Sequence, residues 1–221
     1  QLMDEIMITS TIDDFQKITT KLTMYQMINN PINFYVSPNL NDSKVNILYG
    51  STSGLVLPDR DYYLENNMKD KLEKYHEFMK DYLLKVSKLT NQAYQINSSD
   101  VINYEKKLAE WTLDKVKRRD PTYYNNPTSY KEFKKKYPNI KIDEVLKYSS
   151  QEIPENFDIN LGNPTFYEKY NDFLGDSNNL EIMKQHALWN LMLKFSLCDV
   201  KFEEYKINFF GMYLSGVKEM K

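Results

Sequence analysis

Six glycines in 221 residues set the tightest limit on how this chain folds. Sandwiches and barrels need a tight turn after nearly every strand, and such turns draw on glycine for backbone angles that other residues avoid. With so few glycines and eight prolines, the chain points to helices. Hydrophobic residues make up 41%, enough to build a core and too many for a disordered chain. A formal net charge of -2 argues against a nucleic-acid-binding surface spread over the whole molecule.

Hydrophobic spacing places the helices. Phe15, Ile18, Leu22 and Tyr25 recur three and four apart. They predict a helix capped by Ser10 or Thr11, charged at its start by Asp13 and Asp14, and stopped by Asn30-Pro31. The period then changes. Ile32, Phe34 and Val36 alternate with other residues, a polar stretch follows, and Val45, Ile47 and Tyr49 alternate again. That pattern predicts one β-hairpin near residues 32–49, packed against helices or paired with a strand supplied elsewhere. Leu72, Tyr75, Met79, Leu83 and Val86 form a helical stripe. Val101, Tyr104, Leu108, Trp111 and Lys115 form another, with Ser98 or Ser99 as its cap.

A loop with Pro121 and Pro127 leads to a short helix over Tyr130–Lys136, and 143–148 adds a turn or two. Residues 149–161 are the least periodic and read as a connecting loop. Asn163-Pro164 starts a helix that Gly175 ends, and two more follow over 180–198 and 202–214. No period of 20 to 50 residues repeats, which excludes a solenoid. The fold class is mainly α: an irregular multi-helix domain with one hairpin.

Metal chemistry finds few ligands. His76-Glu77 opens like a zinc-binding helix, but that motif needs a second histidine one turn on, where Lys80 stands. His186, among Met183, Leu188 and Trp189, reads as a core or boundary histidine. Cys198 is the only cysteine, so no internal disulfide forms; beside Phe195, Leu197 and Val200 it reads as a buried, inert thiol. Glu203 and Glu204 are adjacent and read as solvated surface. No glycine-rich phosphate loop is present. The basic runs 115–119 and 134–136 read as solvated helix ends rather than phosphate contacts. The apolar runs are too short to span a bilayer. A lone cysteine fits a cytoplasmic location, with a secreted or cell-surface one as the alternative. Opening at Gln1 and stopping at Lys221 after a helical run, the chain reads as a piece of a longer polypeptide.

Three stretches carry a resemblance. Leu57-Pro58-Asp59-Arg60-Asp61-Tyr62-Tyr63-Leu64 closely resembles the Leu-Pro-x-Arg-Asp-Tyr-Tyr signature of the neprilysin family, which includes the endothelin-converting enzymes and bacterial oligopeptidase O (PepO). Arg119-Asp120-Pro121 with Asn126-Pro127 resembles the family's Arg-Asp-Pro-x-x-x-Tyr-Asn segment, although the family's tyrosine falls on Asn125, with Tyr124 one place earlier. Phe209-Phe210-Gly211, Leu214-Ser215-Gly216 and Glu219 resemble the segment before the family's Pro-Arg-Trp stretch. Together they cover the chain from about Ile18 to Lys221.

The resemblance implies that residues 1–221 are part of the N-terminal, non-catalytic lid of a zinc metalloendopeptidase. In that family two mainly helical regions enclose a cavity, and the C-terminal region carries the zinc on a His-Glu-x-x-His helix and a second, glutamate-bearing helix. The lid admits only peptides small enough to enter. The implied partners are oligopeptide substrates and the C-terminal catalytic domain of the same chain. Zinc is implied for the full-length enzyme and no cofactor for this piece. Neither zinc helix falls within these 221 residues, and the family's substrate-carboxylate arginines lie upstream of Gln1, so no catalytic residue and no metal ligand carries over.

Arg60 is the candidate substrate-binding residue. A structural reading has Asp61 capping or charging a helix start and Arg60 pairing with a carboxylate or carbonyls. The alternative function is a stand-alone helical module that binds peptides or a protein partner without catalysis. A lid also predicts a large apolar or aromatic surface exposed where a catalytic half would dock.

Overall fold

The computed structural model describes residues 2–149 and 156–217. Among them, α1 (Leu2–Met7), which no sequence signal announced, precedes α2 (Ile12–Met24). Thr11 caps α2 by accepting the Asp14 N–H at 3.1 Å. The helix stops at Met24, ahead of Asn30-Pro31, and Gln26 just beyond takes a left-handed φ of 57°.

The expected hairpin forms from β1 (Ile32–Pro38) and β2 (Asn46–Thr52), antiparallel from Ile32↔Thr52 to Pro38↔Asn46. Next come α3 (Asp61–Leu64), α4 (Lys69–Thr90) and α5 (Ser98–Trp111). Asn97, not Ser98 or Ser99, caps α5, accepting the Ser99 N–H at 3.0 Å. Ser98 lies inside the first turn, with its hydroxyl 2.8 Å from His76 Nε2. Then follow α6 (Pro121–Tyr124), β3 (Pro127–Ser129), α7 (Tyr130–Lys136) and α8 (Ile142–Ser149).

Of the expected connecting loop at 149–161, Ser149 ends α8, residues 150–155 lie outside the described residues, and Asp158–Leu161 form β4. β4 pairs parallel with β2 and antiparallel with β3, giving the order β1-β2-β4-β3. Strands of three and four residues are too short for alternation to show in sequence. The chain closes with α9 (Pro164–Leu174), α10 (Leu180–Met192), α11 (Val200–Lys206) and a π-helix over Ile207–Leu214.

Two cores hold these elements. In the first, Phe34, Leu48, Ile159 and Leu161 on the sheet's inner face pack with Phe133 and Tyr167. Glycine is required at position 50: a Cβ there would lie 2.3 Å from Tyr167 Oη, which reaches on to the Ser51 carbonyl at 3.3 Å. The second core is aromatic. Phe78 stacks on Phe209 at 4.5 Å, Tyr82 meets Phe202 edge-on at 5.0 Å, and Trp189 Nε1 donates to Tyr75 Oη at 2.8 Å.

The helix expected over 180–198 leaves α geometry at Met192 and tightens to a 3₁₀ stretch over Leu193–Leu197. Asp199 then caps α11, and the turn ahead of it leaves Cys198 exposed rather than buried. Exposed apolar side chains include Tyr35, Val36, Leu40 and Val45 around the hairpin, and Leu197, Val200 and Met212 near the C-terminal helices. Among the described residues, no helix is long and apolar enough to cross a membrane.

Candidate functional site

The segment Leu57–Leu64 leads from the hairpin into α3 and presents its residues to two different surroundings. Leu57 and Tyr63 point inward. The Leu57 N–H donates to Tyr63 Oη at 3.0 Å, and Tyr63 donates to Glu105 Oε2 at 2.9 Å. Tyr75 donates to the other oxygen of Glu105 at 3.2 Å. Glu105 itself is fully buried. Burial, then the Glu105 charge, pushes the Tyr63 phenol well above its ordinary value, so it stays a donor.

His186 completes this network. Its Nε2 lies 2.9 Å from the Gly54 carbonyl and 3.4 Å from Glu105 Oε1. A carbonyl only accepts, so Nε2 carries the hydrogen. Gly54 sits at φ +93°, a conformation that suits glycine and aims its carbonyl at the imidazole.

Asp59 and Asp61 face the outer side. Asp59 is 8% exposed and pairs with Arg118, with Lys115 at 3.9 Å; Asp61 pairs with Lys115 at 3.2 Å. Burial acts to raise the Asp59 carboxyl, but the Asp61 N–H, Arg118 and Lys115 together outweigh it and hold the group below its usual range. Asp61 opens α3 without a side-chain cap, and Asp59 accepts its N–H at 3.2 Å. Arg60 keeps its Nε buried with no hydrogen-bond partner while its charge acts on the Asp114 carboxylate, and it is Arg118 that pairs with Asp59.

Arg118 also edges a cleft of about 380 Å³ on the sheet's outer face. Tyr35 and Tyr49, opposite each other in the hairpin, stack at 5.5 Å on its floor, and Tyr124 and Asn163 line it as well. Tyr49 also holds a wall in place. Tyr49 Oη donates to the Pro38 carbonyl at 2.9 Å and accepts the Leu40 N–H at 3.1 Å. Buried Asn160 ties the opposite wall to β4, accepting the Asn126 N–H and donating to the Tyr124 carbonyl at 3.2 Å. With rings, hydroxyls, amides and one guanidinium, the cleft suits binding of a polar chain such as a peptide. Among the described residues, no histidine, cysteine or carboxylate lines it. Arg60 does not line it either.

Sequence reasoning missed this cleft. Its signals were the odd-numbered hairpin face (Tyr35, Ser37, Tyr49, Ser51) and Arg118, two places before Asp120-Pro121.

The donor set does not fit zinc. His76 Nε2 faces Ser98, His186 is bound into the Glu105 network, and Cys198 is exposed elsewhere. Among the described residues, no three His, Cys, Asp or Glu side chains converge to hold a metal ion. The basic runs meet acids: Lys134 with Asp143 and Lys136 with Glu168, both at 2.7 Å, and Lys117 with Asp114 at 3.7 Å.

The N-terminal sequence profile of peptidase family M13 matches residues 1–221, the whole chain. The chain belongs to peptidase family M13. Within that family it is 25% identical over 199 residues to endothelin-converting enzyme 1 of Cavia porcellus and of Homo sapiens, covering 87% of this chain. It spans about a quarter of the length of these relatives, 26% and 25%.

Solved structures share the M13 fold. The open-state structure of Mycobacterium tuberculosis zinc metalloprotease ZMP1 superposes with a TM-score of 0.84 at 18% identity, covering all of this chain and 34% of that one. PepO from Lactobacillus rhamnosis HN001 gives 0.78 at 18% identity, covering 99% of this chain and 34% of that one.

Proposed function

We propose that this chain is the lid half of a zinc metalloendopeptidase that hydrolyses short peptides and restricts their size. The observation that carries the reading is the match of its full length to the N-terminal part of M13, while it spans only a quarter to a third of its relatives. In this reading the zinc is held by another part of the parent polypeptide, because the donors here do not converge. The lid's own work is to bind and exclude: the outer-face cleft receives part of the peptide, and the buried Glu105 network keeps the Leu57–Leu64 segment rigid beside it. The cytoplasm is the proposed location.

The test compares this chain alone with the same chain joined to the remainder of its parent polypeptide, on quenched fluorescent peptides of increasing length. The joined protein is expected to cleave short peptides, to lose activity to a chelator, and to fail progressively on longer ones. The chain alone is expected to cleave none. Chelator-sensitive cleavage by the chain alone would overturn the reading, as would a joined enzyme indifferent to peptide length. Peptide binding by the chain in a parent that encodes no catalytic half would favour the stand-alone module instead.

A further inference from the structure

A second cavity, of about 270 Å³, opens between the loop after α2, the residues following β2, and the start of the π-helix. Its lining sorts by chemistry. Val56 and Phe210 give an apolar wall, Asn29 and Asn190 give amides, and Lys194 and Lys206 bring in two amines. The two amines share one lining without a counter-ion there, unlike Lys74 with Glu77 and Lys147 with Glu144, each paired at 2.7 Å. Lys206 instead has a 3.3 Å hydrogen bond to Ser196 Oγ, and among the described residues neither amine has a carboxylate within ion-pair distance. The chain has 31 acids for 29 bases, so counter-charges were not scarce.

Two ammonium groups beside an apolar wall repel each other and lose hydration, which is unfavourable until an anion enters. Burial, then Lys194, holds the Lys206 amine below the ordinary lysine value. The backbone adds a second sign. Lys206 leads directly into Ile207–Leu214, whose widened π turns carry Phe210 to the same cavity. Such turns are rare and recur at functional sites.

We infer that this cavity binds a carboxylate attached to an apolar group, the chemistry of a peptide's hydrophobic C-terminal residue. Lys194 and Lys206 take the carboxylate, Asn29 and Asn190 take neighbouring amide groups, and Val56 with Phe210 covers the side chain. The volume suits about one residue rather than a long segment. Inorganic phosphate fits less well, because it would lose water against the apolar wall without compensation.

The 221-residue chain is titrated calorimetrically with N-acetyl-phenylalanine, with its amide and with inorganic phosphate. The same mixtures are probed for protection of Lys194 and Lys206 from an amine-acylating reagent. Saturable binding of the carboxylate is expected, weakened about tenfold for the amide because a charged hydrogen-bond partner is lost. Lys194→Met and Lys206→Met are each expected to weaken it by up to about tenfold, and both lysines are expected to be protected in the unaltered chain.

Equal affinity for the amide, equal affinity for phosphate, absence of saturable binding, or unprotected lysines would each overturn the inference. Protection is read without any substitution, so the test stands even where K206M fails to fold. It goes beyond the lid reading and needs no catalysis, so a parent that cleaves nothing would leave these results intact.

Discussion

Residues 57–64 meet a dry network on one side and a wet one on the other. Inward, Tyr63 shares the buried Glu105 carboxylate with Tyr75 and His186, and no solvent can replace a lost partner. Outward, Asp59 and Asp61 share Lys115, and Asp59 also pairs with Arg118; both cations are about half exposed. The charges are alike in kind, carboxylates held against the same short segment, yet their energetics differ. A buried charge stripped of its partners keeps its full desolvation penalty, whereas an exposed ion pair exchanges one hydrated state for another. The signature is therefore anchored from inside and adjustable from outside.

The sharpest way to break this contrast is at Glu105. Glu105→Ala leaves two phenols and an imidazole facing a dry gap, and is expected to destabilise the chain by about 3 kcal/mol or more, read by urea unfolding. Glu105→Gln keeps an acceptor and should lose less. A loss below about 1 kcal/mol for the alanine variant would mean that water reaches the network and the inner side is not dry.

Gly50 tests the boundary next, since it lines the cleft above and touches Tyr167 below. Gly50→Ala is expected to cost about 2 kcal/mol by overpacking against Tyr167 Oη. Adding Tyr167→Phe removes that oxygen and leaves Cζ at 3.0 Å, so the double variant should recover part of the loss in thermal melts. Additive losses would show that the sheet, not the contact, yields.

The hairpin, the long helices and the Leu57–Leu64 segment were legible because each has a long or specific pattern. Tyr75, Met79 and Val86 fall on one helical stripe and are all buried. What stayed hidden depends on tertiary pairing. β4 is short and parallel to β2, and no local signal pairs Leu48 with Ile159. Glu105 looks in sequence like any helix-surface glutamate, since its partners lie 30 and 42 residues away. Cys198 read as buried because its neighbours are apolar, but the 3₁₀ turn and the Asp199 cap carry it outward. The cleft was hidden for the same reason, its floor and Arg118 meeting only through the sheet.

On the outer side the expected effects shrink and acquire a pH dependence. Asp59→Asn is expected to cost about 1 kcal/mol near pH 6, because Arg118 is half exposed. The folded carboxyl lies below its ordinary value of 3.8, so the stability it contributes is complete above that value and is lost as pH falls through the folded one. The gap between wild type and variant should therefore stay constant down to about pH 4 and close below it. A gap that closes between pH 5 and 6 would assign the effect to some other group.

Lys115 should give the smallest effect, and it separates the two sides most cleanly. Its amine reaches both Asp59 and Asp61, yet its side chain is 57% exposed. Removing it as Lys115→Ala is expected to cost about 0.5 kcal/mol or less at low salt, and nothing measurable at 0.5 M salt, where screening acts over only a few ångströms. Tyr63 and Glu105 lie behind Asp59 and should not register the change. Their response can be followed by hydrogen exchange at the Leu57 N–H, which Tyr63 Oη holds. If Lys115→Ala accelerates that exchange, the outer charges are mechanically coupled to the inner network. The cleft could then pass a signal from a bound peptide at Arg118 to the core. If exchange is unchanged, the two sides act independently, and the rigidity of the signature owes nothing to its surface charges.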